Sequence, residues 1–148
     1  MSAEENEALI REMIEEIWYK GDLSAVDRYF AIDYVDHSPL PGQSPGPVGY
    51  KEAVATIRSA FPDLHLILED IFCEGDKVAL HYTVQGTHRG QFMGIPPTGK
   101  PFSVTGMINA RIAEGKVVER WANLDTLELM KQLGVVPSPV QFEHASST

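Results

Sequence analysis

The side chain best placed by its sequence context for acid–base work is Asp125, which closes the segment Trp121-Ala122-Asn123-Leu124-Asp125 where a strand pattern gives way to a helix pattern. A carboxylate at that point has two competing uses. As a helix N-cap it accepts backbone N–H groups, which favours the ionised form; as a base in an apolar cavity it would be desolvated and pushed the other way. Position alone favours the cap. Glu119, Trp121, Asn123 and Asp125 share one strand parity, as do Ser103, Thr105, Met107, Asn109 and Arg111 in the preceding strand segment. Such polar faces usually meet water. A tryptophan among them argues instead for a sheltered face, where Asn109, Met107 and Trp121 could line a pocket and Arg111 could stabilise an oxyanion beside Asp125. His37, after Asp36 and before a flexible loop, could titrate at a pocket mouth, with Tyr34 nearby. His88, in Gly86-Thr87-His88-Arg89-Gly90, is a further pocket candidate.

Other chemistries lack their signatures. His65, His81 and His88 have no paired metal-ligand spacing, so no metal is expected. No serine sits in a G-x-S-x-G elbow, no glycine-rich loop has the strand-to-helix context that cradles phosphate, and Cys73 has no motif around it. Acid–base catalysis, or binding without catalysis, is what survives.

The elements that must position these residues come in two blocks. Ser2 and Glu5 have capping-box spacing, and Leu9, Ile10, Met13, Ile14, Ile17 and Trp18 recur at helical intervals until Gly21. Asp22 caps a shorter helix, and Tyr34 to His37 leads into the Pro/Gly loop SPLPGQSPGPVG. A third helix is expected from about Tyr50 to Phe61, so that three helices precede any strand. From Leu64 the period shifts to two. Strands are expected at about 64–73, 77–88, 101–113 and 117–124, then a helix from Asp125 to Leu133 stopped by Gly134. This is an α+β chain whose curved antiparallel sheet, covered by the N-terminal helices, makes a cone with a pocket inside. Residues 1–136 form one domain and 137–148 a loose tail.

With 21 acidic against 12 basic residues and a formal charge of −9, the chain repels phosphate backbones and anionic membranes, which excludes nucleic acid and membrane as expected partners. Neither a membrane span nor a signal peptide is visible, so a cytoplasmic location is expected. The single cysteine, Cys73, rules out an internal disulfide framework.

The segments FPDLHLILEDIFCEGDKVALHYTVQGTHRGQFMGIPPTGK and GMINARIAEGKVVERWANLDTLELMKQLG resemble the SnoaL-like polyketide cyclases of the NTF2-like superfamily, from the first helix to Gly134. The resemblance implies a cone-shaped α+β barrel, a homodimer packed through the sheet, and chemistry without a cofactor on a small, largely apolar carbonyl compound. It implies a cyclase, isomerase or lyase in which Asp125 matches the aspartate that removes a proton beside a carbonyl. His37 and Asn109 fall at polar pocket positions and Trp121 at an aromatic wall. Arg111 stands where antibiotic-pathway cyclases carry a histidine, a departure that points away from a large polyketide. A non-catalytic ligand binder is one alternative. An epoxide hydrolase of the same fold is another, weakened because Asn109-Ala110-Arg111 lacks the first of the two acids that flank its arginine.

Overall fold

The computed structural model describes residues 2–136; the expected tail, 137–148, lies outside them. Ser2 and Glu5 form the capping box and open α1, Ala3–Met13. The helix then widens into a π-helical turn, Ile14–Tyr19, in which Lys20 N–H reaches back to the Glu15 carbonyl. Gly21, at φ +72°, ends it. Asp22 caps a 3₁₀ turn, Leu23–Ala25, that runs into the short α2, Val26–Tyr29.

Three helices do not precede the first strand, as the sequence pattern suggests. Phe30–Asp36 forms β1, parallel to the last strand. Its period of two is masked by an irregularity between Phe30 and Val35, where Ile32 swings out to solvent while Phe30 and Tyr34 stay buried. The third helix, α3, spans Gly46–Ala60 and starts before Tyr50. A proline in its first turn, Pro47, forfeits only an N–H that has no intrahelical partner there, so this proline opens a helix and does not prolong the loop.

The second half follows the expected meander: β2 His65–Glu74, β3 Lys77–Thr87, β4 Pro101–Ala113 and β5 Lys116–Leu124. The five strands lie in the order β1-β5-β4-β3-β2, antiparallel except for β1 against β5. Register breaks at Leu68/Asp70 and Arg111/Ile112 add residues to one strand of a pair, which bends the sheet. On its inner face Val78, Leu80, Tyr82 and Val84 of β3 and Phe102, Val104, Ala110 and Ile112 of β4 are buried with Ile10, Ile14, Ile17, Val26 and Val54 from the helices. Asp125 caps α4, Thr126–Gln132, by accepting the Glu128 N–H. No helix among the described residues is long and apolar enough to cross a membrane.

Candidate functional site

The inner face does not close completely on the helices. It leaves a cavity of about 160 Å³ walled by Trp18, Phe30, Tyr50, Phe61, Phe92 and Phe102, floored by Leu80, Tyr82, Val84 and Ile108, and charged at one end. That end is made by Asp36, Ser38, Gln43 and Arg120.

Asp36 and Arg120 are register partners across the parallel β1/β5 pair, so both side chains leave the sheet on the same inner side. Arg120 Nη1 lies 3.3 Å from each Asp36 oxygen. The carboxylate also accepts the Ser38 N–H at 2.9 Å and Gln43 Nε2–H at 3.1 Å. All four lone-pair directions of Asp36 are thus engaged, two by one cation and two by the Pro/Gly loop. The loop is fixed in turn, because Ser38 Oγ accepts the Ala122 N–H and Gln43 accepts the Leu40 N–H, both at 2.9 Å.

Arg120 has spare capacity. Its Nη1 is committed, while Nε and Nη2 have no hydrogen-bond partner among the described residues. The guanidinium carbon sits 5.8 Å over the Tyr50 ring. Burial works against its charge, and Tyr50, Asp36, Tyr34 and Tyr82 more than offset this, so Arg120 is held above the ordinary arginine value. The three phenols are raised, chiefly by burial. They differ in hydrogen bonding. Tyr50 Oη accepts from Trp18 Nε1 at 3.0 Å, and Tyr34 Oη is sealed without a partner. Tyr82 lines the cavity with its hydroxyl neither bonded nor sealed among the described residues.

None of the residues singled out by the sequence pattern lines this cavity. The sheltered face is the apolar parity of β4 and β5, and the polar parity faces outward. There the structure brings several of the expected residues together. His37 stacks on Trp121 with ring centroids 4.6 Å apart, and its Nε2 is 3.4 Å from Glu119 Oε1. Arg111 Nε donates to Glu119 Oε2 at 2.7 Å. Glu119 is lowered, first by that bond and then by His37 working against desolvation, and Arg111 is raised by the same bond. Asn109 pairs in register with Trp121, and Met107 is 58% exposed beside Asn123. Asp125 is the N-cap of α4. Its backbone N–H bonds Thr105, which leaves it at the end of the sheet and away from Arg111. Tyr34 is packed edge-on against Phe30 at 4.7 Å, behind the cavity wall. His88 is fully buried and pins the 89–100 loop, with Nδ1 accepting the Thr98 N–H at 3.3 Å.

Sequence reasoning passed over Asp36, Arg120, Tyr82 and Gln43. The available signal was parity: Arg120 interrupts the run Arg120, Ala122, Leu124, which belongs to the inward face with Ala110 and Ile108. A charge on an apolar face is more informative than charges on a polar one. Among the described residues no group of three or more His, Cys, Asp or Glu side chains comes together to hold a metal.

Comparison with known proteins fits this architecture. The sequence is 30% identical over 117 residues to nogalonic acid methyl ester cyclase of Streptomyces nogalater, covering 77% of this chain and 87% of that one. It is 29% identical over 133 residues to aklanonic acid methyl ester cyclase DnrD of Streptomyces peucetius, covering 85% and 88%. Two solved structures superpose closely. TsrD from Streptomyces laurentii gives a TM-score of 0.83 at 29% identity over 92% of this chain and 99% of its own, and AclR, a putative hydroxylase from Streptomyces galilaeus, gives 0.79 at 35% over 92% and 100%. Cyclase and putative hydroxylase are different reactions, so the fold carries more than one description. The sequence profile described as SnoaL-like polyketide cyclase matches residues 8–133, and the chain belongs to that family.

Proposed function

We propose that the chain is a cofactor-free acid–base enzyme, of cyclase, isomerase or lyase type, that acts on a small, largely apolar carbonyl compound bound on the inner face of the sheet. The observation that carries this reading is the buried Asp36–Arg120 pair at the charged end of a mainly apolar cavity. The resemblance gives the proton-abstracting role to Asp125, and we assign it to Asp36 because only Asp36 of the two faces the cavity. A ligand carbonyl oxygen takes the open donors of Arg120. The Asp36 carboxylate removes a proton from the adjacent carbon, the C–H electron pair moves into the carbon–carbon bond, and the carbonyl π pair goes to oxygen as an enolate that Arg120 stabilises. Asp36 must first release a donor, and Gln43, held by the Pro/Gly loop at the mouth, is the one a ligand displaces.

The experiment is α-hydrogen exchange of 1-indanone in D₂O, followed by loss of the α-proton NMR signal. Protein-accelerated exchange that disappears in Arg120→Met supports the enzyme. Saturable binding without exchange supports the second reading, a non-catalytic binder, which the fully engaged carboxylate of Asp36 favours.

The same proposal takes a second copy of this chain on the outer face, where Phe72, Met107 and Val35 are exposed and Phe72 shares a row of the sheet with Trp121. Light scattering should give a dimer mass that Phe72→Glu lowers; a monomeric wild type would refute this part. The absence of nucleic-acid or membrane partners belongs to the same proposal, on the strength of the −9 charge, and so does a cytoplasmic location, supported by a sequence that shows no signal-peptide pattern.

A further inference from the structure

Tyr82 and Gly106 are register partners on β3 and β4. A Cβ built on Gly106 would collide with the Tyr82 hydroxyl and come within 2.5 Å of Cζ, so the ring lies flat across the strand in the space that a side chain would fill. Glycine in a strand interior weakens the strand unless something needs the close approach. Here the need is Tyr82. The same device recurs four residues along, where Phe102 lies over Gly86 with Cε1 3.2 Å from a Cβ built there. The two flattened rings keep the cavity floor low. Any side chain at 106 would lift the phenol into the cavity.

The placement of the Tyr82 hydroxyl differs from that of the charged and amide groups in the cavity. Asp36, Ser38, Gln43 and Arg120 cluster at the β1/β5 end, whereas Tyr82 lies on β3 four residues beyond Val78, which shares a row of the sheet with Ala110 and Arg120. The cavity therefore carries a hydroxyl on its floor besides the charged and amide groups at the β1/β5 end. The Tyr82 hydroxyl has no acceptor among the described residues and opens onto the cavity, so a ligand that supplies an acceptor there gains a hydrogen bond. The cavity volume, about 160 Å³, is close to the roughly 150 Å³ of an apolar cavity that holds one benzene ring.

We infer that Tyr82 is a specificity-determining residue, and that the ligand is a compact compound of one or two fused rings with an oxygen at each end, one bound by Arg120 and the other by the Tyr82 hydroxyl. The inference deepens the proposed function and rests on its placing of the ligand in this cavity.

The test measures affinities of indane, 1-indanone and 5-hydroxy-1-indanone by NMR titration, for wild type and for Tyr82→Phe. The substitution removes one oxygen and leaves the ring on Gly106. The expected result is that 1-indanone binds more tightly than indane in both proteins. Wild type gains further affinity with 5-hydroxy-1-indanone, and Tyr82→Phe loses about two- to tenfold of that gain, the span of one hydrogen bond, with 1-indanone unchanged. Loss of the same factor for all three probes, or no loss for any, overturns the Tyr82 assignment and leaves the Arg120 reading in place. A wild type with no preference for 1-indanone over indane overturns the Arg120 reading alone, provided the hydroxyl gain still depends on Tyr82. Failure of all three to bind overturns both. Gly106→Ala supplies a second check: it should weaken all three probes, and unchanged affinities would contradict the low floor.

Discussion

Two charge clusters stand back to back on the same strand pair, one residue apart. Asp36 and Arg120 point inward, with side chains 6% and 19% exposed; His37 and Glu119, their chain neighbours, point outward at 37% and 27% and add Arg111 at 35%. The residue types are nearly the same, and the surroundings separate them. Outside, water and salt screen the pair and the chain gains little. Inside, each charge depends on the other, because removing either leaves an uncompensated ion in an apolar setting. The lesson is that the sheet's parity, more than the identity of the side chains, decides which cluster can recognise or react with a ligand.

The comparison breaks most visibly on the inner side. Arg120→Met strands Asp36 and should cost about 3–5 kcal/mol in urea unfolding at pH 7. Replacing both charges, Asp36→Leu with Arg120→Met, should restore most of that stability while abolishing the preference for 1-indanone over indane. A double variant as unstable as the single one would mean that the loop bonds of Asp36, and not the ion pair, hold this end together. At the sheet end, Asp125→Ala removes a helix cap and should cost about 1 kcal/mol with ligand affinity unchanged. Any loss of affinity there would return Asp125 to the site.

The smallest effect belongs outside. Glu119→Gln should change stability at pH 7 less than Asp125→Ala does. Its signature is in acid. The folded Glu119 is lowered from the ordinary glutamate value of 4.5 by Arg111, so its contribution is complete above that value and is lost as pH falls through the folded value. Wild type should therefore lose stability more steeply than Glu119→Gln below pH 4.5, by thermal melts at a series of pH values. Parallel curves would show that the outer bridge contributes nothing.

Most of the architecture was legible because local signals agreed with the fold. The Ser2/Glu5 box, the stop at Gly21, the turns after Glu74 and Ala113 and the Asp125 cap all carry their own geometry. β1 was not legible, because its pairing is set by β5, more than 80 residues away, and an irregularity scrambles its alternation. The candidate residues were legible in type, and the structure sets them on the polar parity of the sheet, apart from the cavity. Trp121 drew attention to the polar parity, yet its sheltering comes from stacking on His37, a residue just past β1 and distant in sequence. The apolar parity, with one arginine in it, faced the helices, and only the three-dimensional arrangement shows that the helices leave a cavity there.

The most direct test of the central claim, that the chemistry sits on the inner face, is the α-hydrogen exchange rate of 1-indanone in D₂O with Asp36→Asn and Asp125→Asn side by side. Asparagine keeps the size of each side chain and can still cap α4; at position 36 it also removes the charge that pairs with Arg120, so rates are compared at a temperature where thermal melts show both variants folded. The account predicts that Asp36→Asn lowers the protein-dependent rate about a hundredfold or more, while Asp125→Asn stays within about twofold of wild type. Loss of exchange in Asp125→Asn with Asp36→Asn fully active would contradict it and place the reacting carboxylate at the end of the sheet.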